Sequence, residues 1–415
     1  MKNKKEFDIT HWCGVPKSFI RHADGSIAFE RLHEMKEAGF TLVPFYDYGY
    51  EVTCALLKEC ERIGLKVLLN DDRVQAAFRD SENRRALIAQ VVKDYASFPA
   101  LHSYHLTDEP SSADFPALAE MVRIFAELDP AHTSYINLFP NYASTRQLGN
   151  DTYEEHLRQY TETVCPALVS YDHYHFRKPK MMKMEDTGNE RVDDIQNDAV
   201  KNRDRMGFFN NIEDVRSICI EKKLPFMVIV LLTEHMSYRN LTEAEIRWEV
   251  WQSLCYGARC ISYFTYWTAH EDEENDRYHY KNGMLNKDGT RNPHYDMVKN
   301  VNRELQLVGN TLMPHEVQAV FHIGEPIEEK VTLWNGSYRE IEELQADALT
   351  VSFYSEGHVL LANKDYKEQT DVKLRARNGM EILRFDKKSG EWQPLANTAV
   401  ALTVPAGDAV LLKFQ

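Results

Sequence analysis

The chain has 415 residues, of which 43% are apolar and 27% charged, a balance that supports a globular core and, at this length, more than one domain. Its formal net charge of -15 argues against nucleic acid or an anionic membrane as a partner, because both are gripped through clustered Lys and Arg. A neutral sugar carries no such demand. No run of about 18 apolar residues occurs, so no membrane span is expected. The basic residues Lys2, Lys4 and Lys5 precede no apolar stretch, so no secretory signal is read there. The seven cysteines (Cys13, Cys54, Cys60, Cys165, Cys219, Cys255 and Cys260) are odd in number and form no CxxC pair. They fit reduced thiols in a cytoplasm.

Short apolar runs predict eight strands: Asp8–Val15, Phe40–Phe45, Lys66–Asn70, Leu101–Leu106, Thr133–Phe139, Leu168–Tyr174, Phe226–Leu232 and Arg259–Trp267. Amphipathic stripes lie between them. Ile27, Leu32, Met35 and Ala38 make one, opened by Ser26 and closed by Gly39. Val52, Leu56, Ile63 and Gly64 repeat the arrangement. Leu87, Ile88, Val91 and Tyr95 follow, then Leu118, Met121, Val122 and Phe125 before Asp129-Pro130. Asp151 with Glu154, and Thr242 with Glu245, have the spacing of capping boxes.

Eight strands alternating with helices predict an α/β fold, a (β/α)8 TIM barrel over residues 1–312. An open doubly wound sheet fits less well, since no glycine-rich phosphate loop follows a strand. The charged stretch Phe176–Arg205 reads as a long excursion after the sixth strand. It is either a solvated insertion or a wall of the barrel mouth.

Past Leu312 the helices stop. Val331–Trp334, Leu349–Tyr354, His358–Ala362, Val372–Ala376, Glu381–Phe385, Ala399–Val404 and Ala409–Phe414 alternate as short strands between turns such as Asn335-Gly336 and Glu356-Gly357. Residues 313–415 are therefore expected to form a β-sandwich. It has no cluster of catalytic residue types, which implies a packing and oligomer-forming role, and the chain is a candidate homo-oligomer.

Barrel enzymes place reacting groups at the C-terminal ends of their strands. Those positions hold Trp12 after strand one, Tyr46 and Asp47 after strand two, and Asn70 after strand three. Strand four leads into Asp108-Glu109-Pro110, strand five reaches Asn137, and strand six gives Asp172, His173 and Tyr174. Strand seven ends at Glu234-His235, and strand eight at Tyr266 and Trp267. Paired carboxylates across a barrel mouth suit glycosidic cleavage, where one protonates the leaving oxygen and the other stabilises or attacks the anomeric carbon.

Glu-Pro after strand four, Glu after strand seven and Trp after strand eight resemble clan A of the glycoside hydrolases, such as the family 42 β-galactosidases and family 5 β-glycanases. The resemblance implies a retaining glycosidase, with Glu109 as acid/base, Glu234 as nucleophile and Trp267 as a sugar platform. The clan's Asn-Glu-Pro reads Asp108-Glu109-Pro110 here. An Asp accepts from a sugar hydroxyl but does not donate, and its charge opposes ionisation of Glu109.

The remaining site candidates, Trp12, Tyr46, Asp47, Asn70, Asn137, Asp172, His173, Tyr174, His235 and Tyr266, would bind a carbohydrate, first a β-linked neutral hexoside. No cofactor and no metal is called for. A metal-dependent barrel is the alternative, built on His11, His102, His105, His173, His175, His235 and His270. Strand alternation, however, sets His102 and His105 on opposite faces, and strand one lacks a His-x-His. A non-catalytic sugar-binding barrel is the third reading.

Overall fold

The computed structural model describes residues 6–178, 204–269 and 278–415. In chain order the first domain runs β1 (Asp8–His11), α1 (Glu30–Glu37), β2 (Leu42–Phe45), α2 (Tyr50–Ile63), β3 (Lys66–Leu69), α3 (Asp72–Arg79), α4 (Arg84–Tyr95) and β4 (Leu101–Asp108). It continues with α5 (Phe115–Leu128), β5 (Thr133–Leu138), α6 (Thr145–Leu148), α7 (Tyr153–Thr163), β6 (Val169–Asp172), α8 (Phe208–Lys222), β7 (Phe226–Leu231), α9 (Glu243–Cys255), β8 (Cys260–Phe264) and α10 (Pro293–Leu312).

The eight strands form one sheet in the order β1-β8-β7-β6-β5-β4-β3-β2. Every ladder is parallel. The seam is tied where Thr41 N–H donates to Ile9 O and Ile9 N–H to Thr41 Oγ1, both at 3.0 Å. This is a TIM barrel. Alternation divides its residues: Leu42, Leu68, Tyr135, Met227, Ile229 and Cys260 fill the interior, while residues of opposite parity pack outward on the helices.

The strand ends differ from the sequence reading in ways that matter for the mouth. β1 stops at His11, short of Val15, because Cys13 turns the chain with φ 55°. β6 stops at Asp172, so His173 and Tyr174 lie beyond the ladder, and β8 stops at Phe264 rather than Trp267. β4 instead extends to Asp108, in register with Asn137. Ser26 does not open a helix. It bonds to Asp24 within a turn, and α1 begins at Glu30. The capping box before α7 is Thr152 with Glu155, one residue later than Asp151 with Glu154; this register buries Tyr153, Leu157 and Tyr160 together. Thr242 with Glu245 caps α9 as expected.

The C-terminal residues form two antiparallel sheets. The first has six strands in the order β15-β14-β17-β12-β11-β9, and the second three in the order β10-β13-β16. Their bounds are β9 (Val317–Ile323), β10 (Ile341–Gln345), β11 (Leu349–Tyr354), β12 (His358–Asn363), β13 (Thr370–Ala376), β14 (Ile382–Phe385), β15 (Trp392–Pro394), β16 (Ala399–Val404) and β17 (Ala409–Phe414). The barrel is thus followed by a β-sandwich. Val331–Trp334 is not a strand, since Leu333 makes only an isolated bridge to His322.

The six-stranded sheet is buried on both faces. Val351, Phe353, Leu361 and Leu412 meet the smaller sheet, while Leu360, Ala362 and Leu411 join the barrel's own core. Between the domains lies α9. Its Trp248 indole donates to Lys364 O and its Gln252 amide to Asn363 O, while Tyr354 and Ser352 hydroxyls donate to the carbonyls of Leu254 and Cys255. All seven cysteines are free thiols. Among the described residues no helix is long and apolar enough to cross a membrane.

Candidate active site

At the C-terminal ends of the strands lies a cavity of about 280 Å³. On one side it is walled by Asp108, Glu109, Asn137, Asp172 and Tyr174. Adjacent strands place them. Register pairs Asp108 with Asn137 and Asn137 with Ser170, so the side chains of β4, β5 and β6 turn inward side by side. The Asn137 amide is the centre. Its Nδ2 donates to Asp108 Oδ1 and Asp172 Oδ1, each at 3.1 Å. Its Oδ1 accepts from Ser170 Oγ at 2.8 Å, and Tyr135 OH lies 3.0 Å from the same Ser170 oxygen. With Ser170 donating onward, Tyr135 must donate to it. Asn137 has no flip left to make.

Glu109 follows Asp108 with φ 47°, a left-handed conformation that a non-glycine residue adopts only under local constraint. The constraint is visible: its N–H donates to Asn137 O at 2.8 Å, continuing the ladder one residue past the strand. Tyr174 is buried, and that burial, reinforced by the charges of Asp172, Glu109 and Asp108, raises its phenol well above the ordinary value. It therefore stays a neutral hydroxyl amid carboxylates.

The other side of the cavity is aromatic: Trp12, Tyr142, Tyr238, Phe264, Tyr278 and Tyr280, with His235. His235 Nδ1–H donates to Thr233 O at 2.8 Å, and its ring meets Tyr174, Tyr238, Phe264 and Tyr280 at centroid distances of 4.8–5.9 Å. Trp12 and Cys13 also line a second, smaller cavity of about 90 Å³, with Tyr46, Leu68, Asn70 and His105. Burial pushes the Cys13 thiol up to about 11 and the His105 imidazole down to about 4.

Of the residues singled out by sequence, Trp12, Asp108, Glu109, Asn137, Asp172, Tyr174 and His235 come together at the main cavity, and Tyr46 and Asn70 at the smaller one. The others stand apart. Asp47 accepts from the N–H groups of Gly49 and Asp72, tying two helix entrances together. His173 is buried against Tyr142 and Phe208, with Nδ1 3.0 Å from Asn211 Oδ1.

Tyr266 is buried against His11 and Phe40, and Trp267 against Phe19 beneath the Arg31 guanidinium. Neither is among the residues that line these two cavities. Glu234 is not among the residues lining these two cavities; its Oε1 lies 3.0 Å from Lys178 Nζ and its Oε2 accepts from Asn282 Nδ2 at 2.9 Å. The helical carboxylates are engaged as well: Glu245 binds Arg239, and Glu249 accepts from Leu231 N–H.

Sequence reasoning missed Cys13, Tyr142, Tyr238, Phe264, Tyr278 and Tyr280. Aromatic density after strands five, seven and eight could have signalled the rings, whereas Cys13 carried no such signal. The strand histidines are scattered, with His102 beside Asp8 and His175 stacked on Trp248. His270 lies outside the described residues. Among those described, no group of three or more His, Cys, Asp or Glu side chains is placed to hold a metal. The centre of the charged stretch Phe176–Arg205 also lies outside. Its end is anchored, with Asp204 binding Arg239 and accepting from the Tyr366 hydroxyl of the sandwich.

No family model matches the chain, and no curated protein matches its sequence. Solved structures do share its shape. One is a glycoside hydrolase family 5 protein from Bacteroides vulgatus (TM-score 0.60, 9% identity, covering 98% of this chain and 89% of that one). Another is a protein described as a glycoside hydrolase (TM-score 0.57, 10% identity, 98% and 91%). A third is a β-galactosidase from the psychrophilic Marinomonas ef1 (TM-score 0.50, 11% identity, 74% and 60%). The chain spans 60% of the length of that β-galactosidase. At these identities the likeness is one of fold, and with the first two it extends over barrel and sandwich together.

Proposed function

We propose that the protein is a glycoside hydrolase acting on a β-linked neutral sugar through two carboxylates. The observation that carries this reading is the main cavity, where Asp108, Glu109 and Asp172 face a wall of aromatic rings. Flat rings stack on the C–H faces of a pyranose, while carboxylates and an amide take its hydroxyls and protonate its leaving oxygen. The glycoside hydrolases of similar shape add support at the level of fold. Glu109 is the proposed acid/base, and a β-galactoside is the first substrate to try.

Chain order nominates Glu234 as the nucleophile. In that form of the proposal, the contacts of Glu234 to Lys178 and Asn282 must open for it to reach an anomeric carbon. The test is a panel of aryl β-glycosides followed by natural oligosaccharides, with the first-released anomer read by NMR. Hydrolysis with retention is the expected result. A panel with no turnover, alongside a response to amides or nucleotides, would sink the reading.

A further inference from the structure

We infer that the protein self-associates through β16, the outer strand of the three-stranded sheet, with a second copy of the chain pairing antiparallel to it about a twofold axis at Ala401. The pairing is independent of the glycosidase reading.

A bare sheet edge is a template for another strand, and the other edges of the sandwich are blunted. β10 carries Glu342 and Glu343 and a break in register between Ile341 and Glu343. β15 is three residues long and ends at Pro394. β9 is covered, since His322 N–H donates to Thr332 O and its carbonyl accepts from Trp334 N–H. β16 has none of these devices. Ala399-Val400-Ala401-Leu402-Thr403-Val404 holds no charge and no proline, and pairs with β13 without a bulge at the end of its sheet.

Register decides which of its groups face outward. Ala376 N–H donates to Thr398 O at 2.7 Å, and Val400, Leu402 and Val404 continue in the same phase opposite Leu374, Val372 and Thr370. Antiparallel ladders alternate, so the backbone N–H and C=O groups of Ala399, Ala401 and Thr403 point away from β13. No described residue bonds to them. Setting Ala399 against Thr403 of the second copy, and Ala401 against its own counterpart, satisfies every one of these groups on both strands.

The side chains suit the same register. On the inner face Val400 and Leu402 are only half-buried against the sandwich core. In the pair they meet Leu402 and Val400 of the second copy as non-hydrogen-bonded neighbours, where side chains approach closest. On the outer face Ala399, Ala401 and Thr403 are exposed and small. The charges beside them sit on β13, with Arg375 opposite Ala399, Lys373 opposite Ala401, and Asp371 opposite Thr403 and accepting from its hydroxyl at 2.7 Å. Each outer row therefore runs from Arg375 to Asp371 of the second copy, unlike charges flanking the junction. The central row ends on Lys373 at both sides, about 14 Å apart and beyond a Debye length of about 8 Å.

One strand pair buries less than the roughly 1,200 Å² of a standard interface, so the dimer is weak and half-formed at about 10–100 µM. The test is sedimentation velocity on the full-length chain from about 1 µM to about 0.5 mM, which brackets that range. A mass rising toward the dimer is expected, and a monomer throughout would overturn the inference. Ala401→Glu sets two carboxylates face to face on the twofold axis while giving Lys373 an opposite charge within its own sheet, so a folded monomer is expected. Under mild oxidation Ala401→Cys should yield a disulfide-linked dimer, because the counterparts lie about 5.5 Å apart. Ala399→Cys should not, its counterparts being about 14 Å apart along the strand. Wild-type protein oxidised in parallel accounts for the exposed thiol of Cys165. A dimer that survives Ala401→Glu, or cross-linking by Ala399→Cys in preference to Ala401→Cys, would also overturn the inference.

Discussion

The two halves of the barrel mouth are built from the same kind of strand end and finish differently. On the side of β4, β5 and β6, side chains bond to one another across neighbouring strands, and the chain Tyr135–Ser170–Asn137 delivers two carboxylates to the cavity. Past β7 and β8 the backbone bonds to itself instead. Leu232 and Thr233 both donate to Phe264 O at 2.8 Å, and what reaches the cavity from there is His235 and a set of rings. The carboxylate on that side, Glu234, finds its partners on loops. Asp108 and Asp172 meet a partner on the strand between them, Asn137 of β5, whereas Glu234 is held by partners on loops.

The sharpest way to break this comparison is to neutralise the acid side. Glu109→Gln should cost about 10²–10⁴-fold in kcat on substrates with poor leaving groups and far less on activated aryl glycosides, as expected for a proton donor. An equal loss on both would remove Glu109 from that role. The next largest effect belongs to the rings behind β8. Trp267→Ala should destabilise the fold by about 3–5 kcal/mol, the cost of a large buried cavity, while the protein that remains folded keeps its KM. A raised KM with unchanged melting temperature would return Trp267 to the sugar.

Acid asks whether the halves differ in stability as well as in chemistry. Burial lowers His105 on β4 to about 4 and His11 on β1 to about 3. Their folded values lie below the unfolded value near 6.5, so the unfolded chain takes up protons first. The stability is full above about pH 6.5 and drains as pH falls toward 4, by about 1.4 kcal/mol per pH unit for each imidazole. Denaturant midpoints measured across that window should show the slope, and His105→Gln should flatten it by one imidazole's share. The smallest effect is expected at Trp12, which lines both cavities. Trp12→Ala should raise KM by about 2- to 10-fold through lost stacking, with kcat little changed.

The barrel was legible because its strands are apolar runs with clear breaks, and each of the eight appears within a few residues of its expected place. Site residues on the ladders were legible for the same reason: Asn137 and Asp172 lie at strand ends, where register dictates their direction. Beyond the ladders, direction depends on turns. Nothing in Thr265-Tyr266-Trp267 reveals that both rings fold back toward Phe40 and Phe19, and nothing in Thr233-Glu234 reveals Asn282 as a partner nearly fifty positions away. In the sandwich, β9, β10 and β15 escaped notice, β10 because two of the five residues Ile341-Glu342-Glu343-Leu344-Gln345 are charged, as suits an edge strand. Val331–Trp334 misled in the opposite sense: Val331 and Trp334 pack from a loop against the two cores, and Leu333 is exposed.

The sheet that backs α9 also bears on how the protein is made. β17 lies inside the six-stranded sheet, paired with β12 on one side and β14 on the other. Trp248, Gln252 and Leu254 of α9 gain their partners only when that sheet has closed. A chain emerging from the ribosome can lay down all eight barrel strands and still carry α9 without the partners that Tyr354, Asn363 and Lys364 supply. For this barrel, the seventh βα unit is sheltered by strands made well after it, so closing the eight-stranded sheet does not by itself complete the packing of α9.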